Sequence, residues 1–295
     1  MVEPGSATVS IGVQGPCSSG SMQGDAMPAS LTLKFATPPR PPLPRHLLGA
    51  AARLFETPGS DHHADTKPFA VGPLVPSPGS ANPGKPGKPD GSPTMTLWRL
   101  GWLGHGDPPP AWPPRTVRFG PCEQSVMGFD TDLWPFARLA SAGPARRVRL
   151  RMLTPTFFSR NGRDLPLPEP VLIVRSLLAR WNAHAPDTLT INDSAARELV
   201  GAVFLDAVSG ASEQVSVTEQ IRQVGFVGEA ELRLLKTASA TAAEVFGALM
   251  RFAAIAGVGA QTTHGFGAVD IRSRQPETHR AVPPPSRPLP SRPTG

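Results

Sequence analysis

The chain contains no tyrosine. A phenol is therefore excluded as proton donor, proton acceptor or nucleophile in whatever chemistry the protein performs. Cysteine is nearly as scarce: Cys17 and Cys122 are the only two, too few and too far apart for a disulfide framework or a cysteine zinc site. His105 and His184 have no partners at metal-ligand spacing. No run approaches the roughly 18 apolar residues of a membrane span. The first residues show neither the basic nor the apolar segment of a secretion signal. The expectation is a protein of the reducing cytoplasm with no membrane partner, no metal and no cofactor. Lysine is rare too. Of 29 basic residues, only Lys34, Lys67, Lys85, Lys88 and Lys236 are lysines.

Arginine supplies the rest, and the formal charge is +6. The guanidinium is a planar fork that suits phosphate and stacks on bases. That points to a nucleic-acid partner, although GC-rich coding also favours arginine. Proline and glycine are abundant, at 37 and 29 residues, and they gather in particular stretches. Residues 1–28 read as a disordered tail. Residues 76–94 hold six Pro and four Gly in nineteen positions, the composition of a mobile loop. Residues 274–295, with Arg274, Arg280, Arg287 and Arg292, read as an extended Pro-rich tail.

Two structured blocks remain, 29–144 and 145–273. In the first, "LTLKFAT" alternates as a strand and "RHLLGAAARLFE" has one apolar helical face. "KPFAVGPL" and "TMTLWRLGWL" read as strands, "RTVRFG" as a further one, and "TDLWPFARLASAG" as a weak helix. In the second block, "RRVRLRML" sends Val148, Leu150 and Met152 one way and Arg147, Arg149 and Arg151 the other. Asn161-Gly162 makes a turn flanked by Arg160 and Arg163. Helices follow in "EPVLIVRSLLARWNAH" and "INDSAARELVGAVFL", the latter capped by Asn192 or Asp193. "GFVGEAELRLL" is a strand, "TAAEVFGALMRFAAIA" a helix ending at Gly257, and "AVDI" the last strand. Strands and helices thus alternate in both blocks, which predicts two α+β domains. Trp98, Trp102, Trp134 and Trp181 read as core rather than as stacking platforms.

Between that last helix and strand lies "GVGAQTTHGFGAV", with four glycines in thirteen positions. It is no dinucleotide fingerprint, because it follows a helix, and no P-loop, because it lacks a lysine. Absent Cβ atoms at Gly257, Gly259, Gly265 and Gly267 let a phosphate or ribose come near the backbone. Successive amides there form an anion-binding nest, to which Thr262, Thr263 and His264 add side-chain donors. The plainer alternative, a tight helix-capping connection, explains Gly257 alone.

This loop resembles the C-terminal glycine-rich loop of the CRISPR-associated RAMP endoribonucleases that cut precursor CRISPR RNA. "LTPTFF" with "LPEPVLIVRSLLARWNAHAP", "GFVGEAEL", and "DHHADTKPFAVGPL" are similar to other stretches of that family, in the family's order. The resemblance implies two tandem ferredoxin-like (RRM-like) domains. It implies cleavage of a CRISPR repeat RNA at the 3′ base of its hairpin, giving a 2′,3′-cyclic phosphate, with the product staying bound and other effector-complex subunits as partners. It also implies that one histidine of the pair His62 and His63 is catalytic and that Lys67 stabilises charge; the alignment does not choose between the two histidines. Where some relatives carry a tyrosine in the first helix, this chain offers His46, with Arg45 and Arg53 nearby. The alternative is a non-catalytic RNA-binding subunit of an effector complex. Independently of the resemblance, the Arg147, Arg149, Arg151 stripe with Arg160 and Arg163 is a candidate phosphate-tracking surface, or else an ordinary solvated face.

Overall fold

A computed structural model describes residues 27–35, 42–56, 67–76, 95–104, 112–218 and 220–272. Residues 1–26 of the expected N-terminal tail, the whole C-terminal tail, all but the first residue of the 76–94 loop, and His62 and His63 lie outside the described residues.

The N-terminal domain is built on β1 (Ala29–Phe35), α1 (Pro44–Phe55), β2 (Phe69–Pro76), β3 (Thr96–Trp102), β4 (Thr116–Phe119) and β5 (Cys122–Leu133). Its antiparallel sheet has the order β2-β3-β1-β5-β4. Alternation places Leu31, Leu33 and Phe35 of β1 and Trp98 and Leu100 of β3 under α1, where Leu47, Ala50, Ala51 and Phe55 close the core. Without β4, the order is that of a ferredoxin-like sheet. Among the described residues no helix lies between β3 and β5.

The C-terminal domain holds β6 (Arg147–Thr156), the hairpin β7 (Phe158–Arg160) and β8 (Arg163–Leu165), α3 (Pro170–His184), α4 (Asp193–Ala202), β9 (Val203–Ser216), β10 (Arg222–Leu234), α5 (Ala240–Ala256) and β11 (Val269–Arg272). The sheet order β11-β6-β10-β9 is again ferredoxin-like. Asn192 caps α4 by accepting the Ala195 amide, and Ser239 caps α5 by accepting that of Ala242. The turn at Asn161 and Gly162 has positive φ at both residues, as that dipeptide favours.

Two strands differ from the sequence reading. β5 and β9 run 12 and 14 residues, yet "CEQSVMGFDTDL" and most of "VFLDAVSGASEQVS" are too polar to show a buried face. Their exposed pattern follows from pairing along sheets that one helical layer covers incompletely. The helix expected across "TDLWPFARLASAG" is only α2 (Phe136–Ser141), since its start belongs to β5. Phe136 and Leu139 of α2 pack into the second core beside Trp181 and Phe252. The chain therefore changes cores before α2 and not at the expected boundary of 144.

The domains meet through α5. A Cβ on Gly101 of β3 would lie 2.0 Å from the Ile255 carbonyl oxygen, so only glycine lets the first sheet rest on that helix. α1 covers one face of the first sheet and the end of α5 the other. This brings the loop after α5 to the first domain.

Candidate functional site

α5 ends at Gly257, whose φ of 70° belongs to the left-handed region. The chain then turns through a short 3-10 segment, Thr262–His264, which packs against α1 and β2. The glycines answer to protein on nearly every side. A Cβ on Gly259 would meet the Phe157 carbonyl oxygen at 2.4 Å, and one on Gly267 the Val258 carbonyl oxygen at 1.9 Å. Gly265, at φ 90°, would press Leu47 of α1. The amides are also committed. Val258 donates to Gly267 O, Ala260 to Phe157 O, Gly267 to Pro155 O, and Gly259 to Ser176 Oγ.

The expected nest of free amides is therefore absent from 257–260, because those N–H groups donate in turn to Ala253 O of α5, Gly267 O within the loop, Ser176 Oγ of α3 and Phe157 O just after β6. Gly257, Thr262 and Gly267, expected to meet RNA, are buried and shape the loop from within. Gly259, Thr263, His264 and Gly265 stay partly exposed.

One residue that sequence reasoning missed holds this loop. Arg180 of α3 donates to the Ala256 carbonyl, at the end of α5, and to Thr262 Oγ1. Burial pushes its guanidinium down to about 10, which still leaves it charged at neutral pH. Its arginine sits in the "ARWNAH" stretch, but nothing in the local pattern announces a partner 82 positions away.

His264 comes out on the first domain's side of the loop. Its Nδ1 lies 3.3 Å from Thr263 Oγ1. Burial, and then the charge of Lys67, holds its imidazole below the ordinary histidine value. Lys67, just before β2, pairs with Glu56 at the end of α1. The segment that carries His62 and His63 leaves the described structure after Glu56 and re-enters it at Lys67, so its two ends are joined by that ion pair. The structure thus brings together Lys67, His264, the exposed part of the glycine loop and both ends of that segment.

His46 stands apart from this cluster. Its ring lies against Gly120 of the β4–β5 turn and its Nε2 accepts a hydrogen bond from Arg45 Nε at 3.3 Å. Arg53 lines a different groove, with Thr116 and Glu123.

The arginine stripe is largely paired. Arg147 and Arg149 both engage Glu231 on β10; Arg147 also reaches Asp206, and Arg149 reaches Glu229. Burial works to raise the Glu231 pKa, but Arg149 and Arg147 together outweigh it and hold the carboxyl below its usual range. The stripe is thus mostly a neutralised face. Arg151 is exposed and forms no ion pair among the described residues, and Arg160 and Arg163 sit exposed on the β7–β8 hairpin. A second basic surface, not evident in the sequence, is a cleft of about 570 Å³ between the domains, where Arg99, Arg251 and Arg272 join Arg147 opposite Asp132 and Asp270. Trp98, Trp102 and Trp181 are buried, as expected. Trp134 packs partly against the second core and stacks under Arg138.

Residues 150–269 match the family model for the CRISPR-associated endoribonuclease Cas6. The CRISPR-associated endoribonuclease Cas6 of Mycobacterium tuberculosis is 31% identical over 155 residues, 51% of this chain. That alignment spans about half of the curated relative, 46% of its length. A solved Cas6 product complex is similar over 84% of this chain and 100% of its own, with 27% identity and a TM-score of 0.68. A Thermus thermophilus Cas6 covers 84% of this chain and 99% of its own at 25% identity, with a TM-score of 0.63.

Proposed function

From the premise that this chain has the fold of Cas6 endoribonucleases and carries their family signature in its second domain, we propose that it is an endoribonuclease that processes precursor CRISPR RNA. It acts without a metal. The RNA's own 2′-OH attacks the adjacent phosphate within the repeat, at the 3′ base of the hairpin, leaving a 2′,3′-cyclic phosphate, and the product stays bound. An imidazole from the pair His62 and His63 moves a proton, and Lys67 stabilises the charge that builds on phosphorus. Gly259, Thr263 and Gly265 at the exposed rim of the loop, with Arg151, Arg160 and Arg163, contact the RNA backbone.

The observation that carries this reading is the meeting of Lys67, His264 and the loop at the point where the His62–His63 segment begins and ends. A second reading, a non-catalytic RNA-binding subunit of an effector complex, draws support from the Lys67–Glu56 pair, which occupies the cation. Cleavage of the cognate repeat RNA in EDTA, with mapping of the new 3′ end, separates them. Cutting that yields a cyclic phosphate supports the enzyme. Tight binding without turnover supports the subunit. Cutting that stops in EDTA and returns with magnesium overturns the proposed chemistry.

A further inference from the structure

Attack by a 2′-OH moves two protons, one off the 2′-oxygen and one onto the leaving 5′-oxygen. The proposed function names one imidazole, and the chain has no tyrosine for the other transfer. His46, His184 and His264 are the histidines among the described residues. His184 is buried in the second domain. His46 has its Nε2 occupied by Arg45 and its ring against Gly120.

His264 differs from both. The positive φ of Gln261 and of Gly265 brackets its 3-10 segment and fixes where the ring emerges. Thr263 Oγ1 takes up Nδ1, and Nε2 has no hydrogen-bond partner among the described residues. The ring lines a groove of about 470 Å³ at the seam of the domains, with Leu47 of α1, Leu74 of β2 and Pro155 of β6. That groove has the size of a nucleotide-binding pocket.

We propose that His264 is the general base of this reaction, its Nε2 taking the proton from the 2′-OH of the nucleotide at the cut site. The O2′–P bond forms as that proton moves to His264. The P–O5′ bond breaks, and O5′ takes its proton from the imidazolium of the His62–His63 pair. Each imidazole ends with the other's starting protonation, and both reset through solvent. The assignment rests on the proposed endoribonuclease activity and deepens it.

The electrostatics suit the role. A base must be neutral before it acts, and both burial and Lys67 favour the neutral ring. The charged groups on the elements packed around it are Arg45 and Arg53 on α1, Glu56 and Lys67 where α1 ends and β2 begins, Arg180 behind Thr262, Arg151 on β6, and Glu213 on β9, whose Val215 lines the same groove. Of the two anions, Glu56 is already paired with Lys67 and Glu213 is exposed to solvent.

The test is single-turnover cleavage of the cognate repeat RNA by the full chain, with RNA affinity measured alongside. His264→Ala is expected to lose about a hundredfold or more in rate with affinity within about threefold. The acidic limb of the wild-type rate profile is expected below the ordinary histidine value and absent from the variant. Added imidazole is expected to restore part of the lost rate. His264→Gln, a neutral side chain of similar reach, controls for the fold. Rates and acidic limbs equal to wild type in both variants overturn the base assignment and leave the endoribonuclease reading intact. Loss of affinity in proportion to rate, without imidazole rescue, overturns it in favour of a binding role. A wild type that binds but never cuts overturns both.

Discussion

Replacing Arg180 by methionine removes the side chain that ties α3 both to the end of α5 and to Thr262 of the glycine loop, and leaves in place the bond from the Gly259 amide to Ser176 Oγ. Two opposed terms set the size of the effect. Burial that pushes the guanidinium down to about 10 takes roughly 3 kcal/mol from its charged form. Its two charge-assisted hydrogen bonds, to Ala256 O and Thr262 Oγ1, return about 1.5–3 kcal/mol each. The intact arrangement is therefore close to break-even. The variant is not, because it strands the Ala256 carbonyl and the Thr262 hydroxyl in the interior at about 1–3 kcal/mol apiece. The expected loss is about 2–4 kcal/mol after some refilling by the methionine chain. At roughly 2–4 °C per kcal/mol for a chain of this size, Tm should fall by about 5–15 °C. Amides of Val258 and Gly267 should lose hydrogen-exchange protection more than those of β1. Arg180→Lys should fall between, since an ammonium keeps the charge but not the fork. A Tm within about 2 °C of wild type, with the loop amides still protected, would refute the clamp.

Other outcomes follow from the same geometry. Gly267→Ala should destabilise far more than Gly265→Ala, because its Cβ would meet backbone at 1.9 Å while that of Gly265 meets only the mobile end of Leu47; urea midpoints of the two rank them. His62→Ala with His63→Ala should slow single-turnover cleavage at least about a hundredfold at nearly unchanged affinity, and normal cutting would remove both from the mechanism. Glu231 has a depressed folded pKa, so its stabilisation is present above pH 4.5 and lost as pH falls through the folded value; Glu231→Gln should flatten that acid limb of the stability curve. His264 also has a depressed folded pKa, but as a base it is taken up in the neutral form. The unfolded chain therefore binds the proton first, stability drops as pH falls below about 6.5, and His264→Gln should remove that slope.

The helices were legible because their apolar faces recur at helical spacing, as Leu47, Ala51 and Phe55 do on α1. Asn192 and Gly257 marked helix ends through chemistry that is local. β5 and β9 were not legible, since a strand that keeps a solvent face along most of its length carries little alternation. The site was legible in part. Composition drew attention to the glycine loop, but the reason for its glycines lay in carbonyls of Phe157 and Val258, contacts that no local pattern encodes. The arginine stripe on β6 was plain in the sequence, whereas the glutamates that neutralise it belong to β10, some eighty residues on. His264 stood out only as a donor beside glycines. Its closeness to Lys67 depends on how two domains dock, and docking is set by the close approach of Gly101 to α5.

The central claim is that the RNA supplies its own nucleophile at this seam between the domains. The direct measurement uses the cognate repeat RNA with a single 2′-deoxy substitution at the cut site, assayed for binding and for cleavage beside the unmodified strand. The account predicts that the unmodified strand is cut, and that the substituted strand binds with unchanged affinity and stays whole. Efficient cutting of the substituted strand would contradict it and point to an activated water.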